Sequence, residues 1–359
     1  MDLLASIRSR TSALAAALTL LPAALTLLAA APALARKTAA NWDASQQRIV
    51  VRAGLMSEAS PKNFAGAAPL TPEAERVALA ALAARAAAEA EAVEAEGTPA
   101  PAPQPAVSST ATMTVTRFDA LLVEALGLSA TAAHVQATAA AAGLRPPSYF
   151  GTEVVARYLG LRYDHPSGED SLELYPWNPI TRAEAAHSFA VVLEQGGWAV
   201  QDARETLEAF SLPHYSAAQL RVLRIAVSKI GMPYVWGGTT DGTEDGLEHG
   251  GYDCSGFAWR VYKVSGLSWG AKILGRTAAE QAGEIPKSAR VRLQQVQPAD
   301  LLFFGSAHFG SKATEANVIH EGVALSGEWA IHSSGQGVYV LPLDSGWLAK
   351  EFTWGRRVL

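Results

Sequence analysis

Cysteine is almost absent: Cys254 is the single one among 359 residues. An intrachain disulfide is therefore excluded. A lone cysteine in an exported chain points to intermolecular pairing or to a reactive thiol, and a buried inert thiol is the bland alternative. An excess of one charge sign is lacking as well. The chain holds 29 Lys+Arg against 34 Asp+Glu, a net charge of −5, with no basic block. Nucleic-acid binding thus has no compositional support. Beyond one run near the N-terminus, no segment is long and apolar enough to cross a membrane.

That run has the three parts of an export signal. Arg8 and Arg10 give a positive start, Thr11 to Leu28 is apolar, and Ala33-Leu34-Ala35 offers small residues for cleavage before Arg36-Lys37. Residues 1–35 are expected to be a signal peptide and the protein to be secreted. The run is also about long enough to span a bilayer, so an uncleaved anchor is the alternative.

From Asn41 to about Glu96 the pattern predicts helix, with Thr71 as cap and Pro72 at the first helical position. Gly97 to Ser109 (GTPAPAPQPAVSS) is a Pro-rich linker. Helix resumes at Thr116-Arg117-Phe118-Asp119 and again at Thr181-Arg182-Ala183-Glu184, where Thr and Glu form the two halves of a capping box. Three Thr-led starts, with Gly-Leu endings at Gly54-Leu55, Gly127-Leu128 and Gly160-Leu161, suggest a degenerate repeat. Residues 36–210 form this mainly helical region. From 211 to 359 the texture is α+β. A capped helix begins at Ser216 and a Gly-rich loop spans Gly237 to Gly251. A helix then runs from Cys254 or Ser255 to Ser265. Strands follow at 300–304, 318–325, 329–332, 337–341 and 352–358.

Ile180-Thr181-Arg182-Ala183-Glu184 resembles the helix start of S-layer homology repeats, and Val115-Thr116-Arg117-Phe118-Asp119 matches it in part. The resemblance implies anchoring to a secondary cell-wall polysaccharide, with Arg182 and Arg117 as contributors to binding. Capping alone also explains the motif.

The chemistry centres on "GYDCSGF", Gly251 to Phe257. A helix N-terminus presents unpaired N–H groups, which lower a thiol's pKa and can hold an oxyanion. Asp253 or Ser255 can cap the helix, and Gly256 permits close approach. Among eight histidines, His320 and His332 fall on adjacent predicted strands joined by a turn at Ser326-Gly327. The hairpin can set both imidazoles on one face, one toward the thiol and the other orienting the first. His249 lies nearer in sequence, in a Gly-rich loop that would hold it poorly.

Asp253-Cys-Ser-Gly-Phe257, preceded by Gly231-Met-Pro-Tyr-Val-Trp-Gly-Gly238, resembles the NlpC-type cysteine peptidases of bacterial cell walls. Pro298-Ala-Asp-Leu-Leu-Phe-Phe304 matches that family's Pro-Gly-Asp-Leu strand, with Ala299 for Gly. Ile319-His-Glu-Gly-Val-Ala324 matches its His-Val-Gly-Ile strand, with Glu321 for an apolar residue, and Ala330-Ile-His-Ser-Ser334 its third catalytic strand. The resemblance implies a papain-like domain with the nucleophile helix on an antiparallel sheet, acting on peptidoglycan stem peptides after γ-D-Glu. Cys254 would be nucleophile, His320 base and then acid, and His332 the orienting residue. Tyr234 would line the site, while Asp253, Ser255 and Trp236 would contact substrate. No metal or cofactor is implied. A thiol amidase or acyltransferase on the same fold, or an inactive wall-binding scaffold, are the alternatives. The acidic loop from Gly237 to Gly251 reads as a cleft rim or lid, or as a mobile solvated loop.

Overall fold

The computed structural model describes residues 43–60, 62–93, 113–166, 168–344 and 346–359. The signal segment 1–35 and the linker 97–109 lie outside them. Among the described residues no helix is long and apolar enough to cross a membrane.

The first half is helical: α1 (Ala44–Arg52), α2 (Pro72–Val93), α3 (Val115–Ala125), α4 (Ser129–Ala141), α5 (Phe150–Tyr158) and α6 (Arg182–Glu208). Four of these helices end the same way. Gly54, Gly127, Gly143 and Gly160 take positive φ. The N–H of the following Leu then returns to the carbonyl five residues back, as Leu55 does to Val50 and Leu128 to Val123. This αL ending needs glycine, and it turns Leu55, Leu128, Leu144 and Leu161 into the core, each at most 1 % exposed. Gly54 stops α1, and an irregular stretch precedes the Thr71 cap of α2, as the Gly54-Leu55 ending and the Thr71-Pro72 start predict.

The three helix starts are laced together. Leu70 N–H donates to Ile180 O, and Ile180 N–H donates to Met113 O. This pairing corrects the register of the second start. Thr114, not Thr116, caps α3 by accepting from Arg117 N–H. Val115 therefore stands where Arg182 stands in the third start, and Arg117 lies a half-turn further on. The third start makes only one half of the expected capping box. Thr181 Oγ1 accepts from Glu184 N–H, but the Glu184 carboxylate is buried 3.4 Å from His165. Around it lies a buried charged network, including Arg162–Asp119 at 2.8 Å and Arg157–Glu153 at 3.0 Å.

The second half holds α7 (Ala217–Ser228), α8 (Cys254–Lys263), α9 (Ala278–Gly283) and α10 (Gly346–Glu351). A small pair, β1 (Thr239–Thr240) and β2 (Gly251–Tyr252), precedes a six-stranded sheet. Its strands are β3 (Arg290–Val291), β4 (Leu301–Phe304), β5 (His320–Ala324), β6 (Trp329–Ser334), β7 (Gly337–Pro342) and β8 (Phe352–Arg356). The order is β3-β8-β4-β5-β6-β7 and every pairing is antiparallel. Strand alternation splits the sheet's side chains. Phe303, Val323 and Ile331 join Phe257, Ala258 and Val261 of α8 in the main core. Leu302, Phe304, Ala324 and Ala330 face a second cluster closed by Leu348 of α10. Ala299, at the position where the resembled strand has Gly, takes φ +69, which explains why glycine suits that turn. Arg157 Nη2 donates to Gly231 O across 3.0 Å, tying the helical half to the second half.

Candidate active site

Local chemistry fixes where α8 begins. Asp253 is its cap, with Oδ1 accepting the Gly256 N–H at 2.6 Å. Ser255 is not the cap; its hydroxyl donates to Asp253 Oδ1 at 3.3 Å. A Cβ on Gly256 would lie 2.1 Å from the Gly238 carbonyl oxygen, so only glycine lets the preceding loop rest on this turn. Asp253 Oδ2 accepts from Gly237 N–H at 3.0 Å, holding the loop that carries Tyr234 and Trp236.

Sequence reasoning missed Arg276. Its guanidinium forks onto Asp253 at 3.0 and 2.8 Å and donates to Ser255 Oγ at 3.1 Å. Asp253 and Ser255, both buried, are thus engaged with protein donors. The only advance signal was an arginine beside a capped start at Thr277, which says nothing of a partner 23 residues earlier.

The thiol sits deep, although the residue keeps an edge to solvent. Backbone N–H groups of Glu321 and Ser255 reach it and favour its thiolate. Burial and then the charge of Asp253 outweigh them, with the Glu321 carboxyl adding to the rise once ionised, and push the thiol up to about 12. The expected lowering by the helix N-terminus is therefore corrected: desolvation wins over the dipole. Tyr234 lies within the field of Cys254 and Asp253, half-buried, with burial raising its phenol. Trp236 is 69 % exposed.

On β5 and β6, His320 Nε2 and His332 Nδ1 are 2.9 Å apart, with rings nearly perpendicular. Gly322 pairs with His332 in the strand register, so the two imidazoles are diagonal neighbours on one face. The turn between them is set by Ser326, whose Oγ accepts from Glu328 and Trp329 N–H. This geometry leaves His320 Nδ1 for a reacting partner. Burial pushes His320 down to about 3, and burial followed by His320 holds His332 well below the usual imidazole range. Among the described residues the sulfur makes no hydrogen bond to either ring; the link between α8 and the pair runs through the Glu321 N–H, one residue from His320.

The acidic loop is not loose. Asp241 pairs with Lys229 and accepts from Tyr252 Oη, and Asp245 accepts from Thr239 N–H. His249 stacks on Tyr175 at 4.4 Å, and Gly250 N–H donates to Tyr175 Oη. The expectation that His249 is poorly held is corrected by that stack. Arg182 and Arg117 lie on α6 and α3, apart from this constellation. Arg182 donates to Phe64 O and Ser57 O and covers the Phe64 ring at 4.7 Å. Among the described residues no group of three His, Cys, Asp or Glu could hold a metal ion.

Residues 231–357 match the model of the NlpC/P60 family, so the chain carries an NlpC/P60 domain at its C-terminus. Over 136 residues, 38 % of the chain, it is 29 % identical to the bifunctional muramidase/DL-endopeptidase CwlT of Bacillus subtilis, covering 35 % of that protein. It is 31 % identical over 131 residues to the gamma-D-glutamyl-L-lysine dipeptidyl-peptidase of the same species, covering 36 % of this chain and 37 % of that one. The chain thus spans little more than a third of these relatives. A crystal structure of an NlpC/P60 family protein from Bacillus cereus aligns over 42 % of each chain at 25 % identity, with a TM-score of 0.31.

Proposed function

We propose that the chain is an exported peptidoglycan hydrolase whose C-terminal domain cuts stem-peptide amide bonds with a Cys-His-His mechanism. The observation that carries the reading is a lone thiol at the start of α8, touching the β5 backbone beside an imidazole that is hydrogen-bonded to a second imidazole. The match to the NlpC/P60 model and the peptidase names of the relatives support it.

In this mechanism His320 Nδ1 takes the Sγ proton as sulfur attacks the amide carbon. N–H groups at the α8 start stabilise the oxyanion, with Tyr234 lining the site. Imidazolium His320 then gives its proton to the departing amine, and water hydrolyses the thioester. His332 orients His320 through the Nε2···Nδ1 contact. Cleavage after γ-D-Glu is favoured by the name of the dipeptidyl-peptidase relative. Export is supported by Arg8, Arg10, the apolar run and Ala33-Leu34-Ala35. Wall anchoring by the helical half, through a secondary polysaccharide, is supported by the repeated Thr caps and Gly-Leu endings. The bonds of Arg182 to Phe64 O and Ser57 O favour a structural contribution from that residue.

Mass spectrometry of muropeptides released by the full chain and by Cys254→Ala tests the enzymatic reading. Dipeptide-bearing fragments ending in D-Glu are expected from the wild type and none from the variant; equal release by both would end it. Cosedimentation of the Cys254→Ala chain with walls stripped or not of secondary polysaccharide tests anchoring, and equal binding to both counts against it.

A further inference from the structure

The imidazole pair is roofed by a residue that none of the motifs includes. Trp347 stands on α10, whose neighbour Leu348 is buried at 1 % exposure in the second core and anchors the helix. Its ring meets His320 at 5.0 Å and 67°, His332 at 5.8 Å and 70°, and Phe304 at 5.8 Å and 59°. Phe304 also borders His320 at 5.8 Å, and Tyr339 packs on His332 at 4.4 Å. Trp347 itself is 39 % exposed, while His320 is 8 % and His332 0 % exposed. One indole thus touches both imidazoles and has solvent on its far side.

We propose that Trp347 is a positioning residue for the imidazole pair, fixing the ring planes of His320 and His332 and closing the solvent side of their hydrogen bond. The inference rests on the thiol–imidazole reading above. A single Nε2···Nδ1 contact leaves each imidazole free to tilt about its side-chain torsions, because terminal ring torsions have broad wells. Edge-to-face contacts from a third ring remove that freedom. Exclusion of water also strengthens the contact it covers.

The groups facing His320 make the consequence readable. His332 is its titratable neighbour on β6, and the Cys254 thiol on α8 approaches through the Glu321 N–H. Tyr339 on β7 reaches only His332, and Phe304 on β4 is neutral. Glu321 alternates to the opposite side of β5. Asp344, Lys350 and Glu351, which flank Trp347, leave burial as the sole cause of the low His320 value. Opening the roof should therefore let the imidazole titrate nearer its ordinary range.

The test uses the full chain as wild type, Trp347→Ala, Trp347→Phe and Cys254→Ala, with stem peptides from digested peptidoglycan as substrate. For Trp347→Ala a fall in kcat of about tenfold is expected with KM little changed. The acid limb of kcat/KM should move up by about one pH unit or more, with rescue by Trp347→Phe. Histidine NMR titration of Cys254→Ala and of the Cys254→Ala, Trp347→Ala double variant should show the same upward move without turnover. An unchanged profile in Trp347→Ala, or lost activity without a displaced imidazole titration, overturns the proposal. Should Trp347→Ala not fold by circular dichroism, Trp347→Leu keeps the apolar cover without the ring, and the same readouts decide. If no turnover depends on Cys254, the enzymatic reading fails, while the NMR comparison still decides the role of Trp347.

Discussion

Glu321→Gln isolates one buried proton. Glu321 lies on β5 opposite Phe303, is 0 % exposed, and among the described residues neither carboxyl oxygen has a hydrogen-bond partner. The nearby cations are engaged elsewhere: Arg356 with Glu284, Gln281 O and Lys272 O, and Arg276 with Asp253 and Ser255. Burial therefore holds the Glu321 carboxyl well above the usual carboxylate range. A carboxyl raised on folding contributes its stability fully below its unfolded pKa. That contribution is lost as pH rises toward the folded value, at about 1.4 kcal/mol per pH unit. Across the interval between the two values the wild type should thus lose stability steadily as pH rises, a loss the Glu321→Gln variant escapes because its amide does not titrate. Each kcal/mol lost in this way widens the Tm gap between variant and wild type by roughly 2 to 4 °C, with the variant gaining on the wild type as pH rises. Thermal melts of both full chains at pH 5, 6 and 7 measure it. Other buried carboxyls with raised values, Glu184 among them, are common to both chains and cancel in the difference. A gap that stays constant across this range would refute the raised Glu321 carboxyl.

Thiolate ultraviolet absorbance followed against pH should show Cys254 un-ionised through neutrality, with a midpoint near the value of about 12 set by burial; a midpoint at or below that of a free thiol means a preformed thiolate–imidazolium pair instead. Gly256→Ala drives a Cβ to 2.1 Å from the Gly238 carbonyl, so it should cost about 1–3 kcal/mol and lower Tm, and an unchanged melt counts against the close approach of loop and helix.

Features written within a few residues were legible. The start of α8 follows from an acidic cap after a Gly-rich loop, and Asp253 takes that role. The β5–β6 hairpin follows from two apolar runs around Ser326-Gly327, and it sets His320 beside His332. Gly-Leu endings follow from the αL requirement. What failed depended on contacts distant in sequence. Thr114 and Thr116 are equally good caps in isolation; pairing of Thr114 with Pro179 decides between them. Glu184 has the right spacing for a capping box, but His165 draws its carboxylate away. Arg276 and Trp347 meet Asp253 and His320 only through tertiary packing. The sign of the Cys254 shift was a contest between dipole and desolvation, and depth of burial is not written in a motif.

The resting site is thus a neutral thiol and a neutral imidazole, and the tautomer of the pair matters. If His320 Nε2–H donates to His332 Nδ1, Nδ1 of His320 is a free base, but His332 must carry its proton on Nε2. Among the described residues that nitrogen is buried without a partner, and an orphaned donor costs about 1–3 kcal/mol. If His332 Nδ1–H donates instead, the orphan is only a lone pair, and His320 holds its proton on Nδ1, where it blocks transfer from sulfur. The structure therefore favours the idle tautomer at rest. Reaction requires a group that accepts from His332 Nε2, or an energetic cost borne before attack. With His320 held near 3 and Cys254 near 12, separating charge in advance is disfavoured as well. Proton transfer should accompany bond formation to the substrate carbon, making His320 a general base during attack rather than half of a standing ion pair.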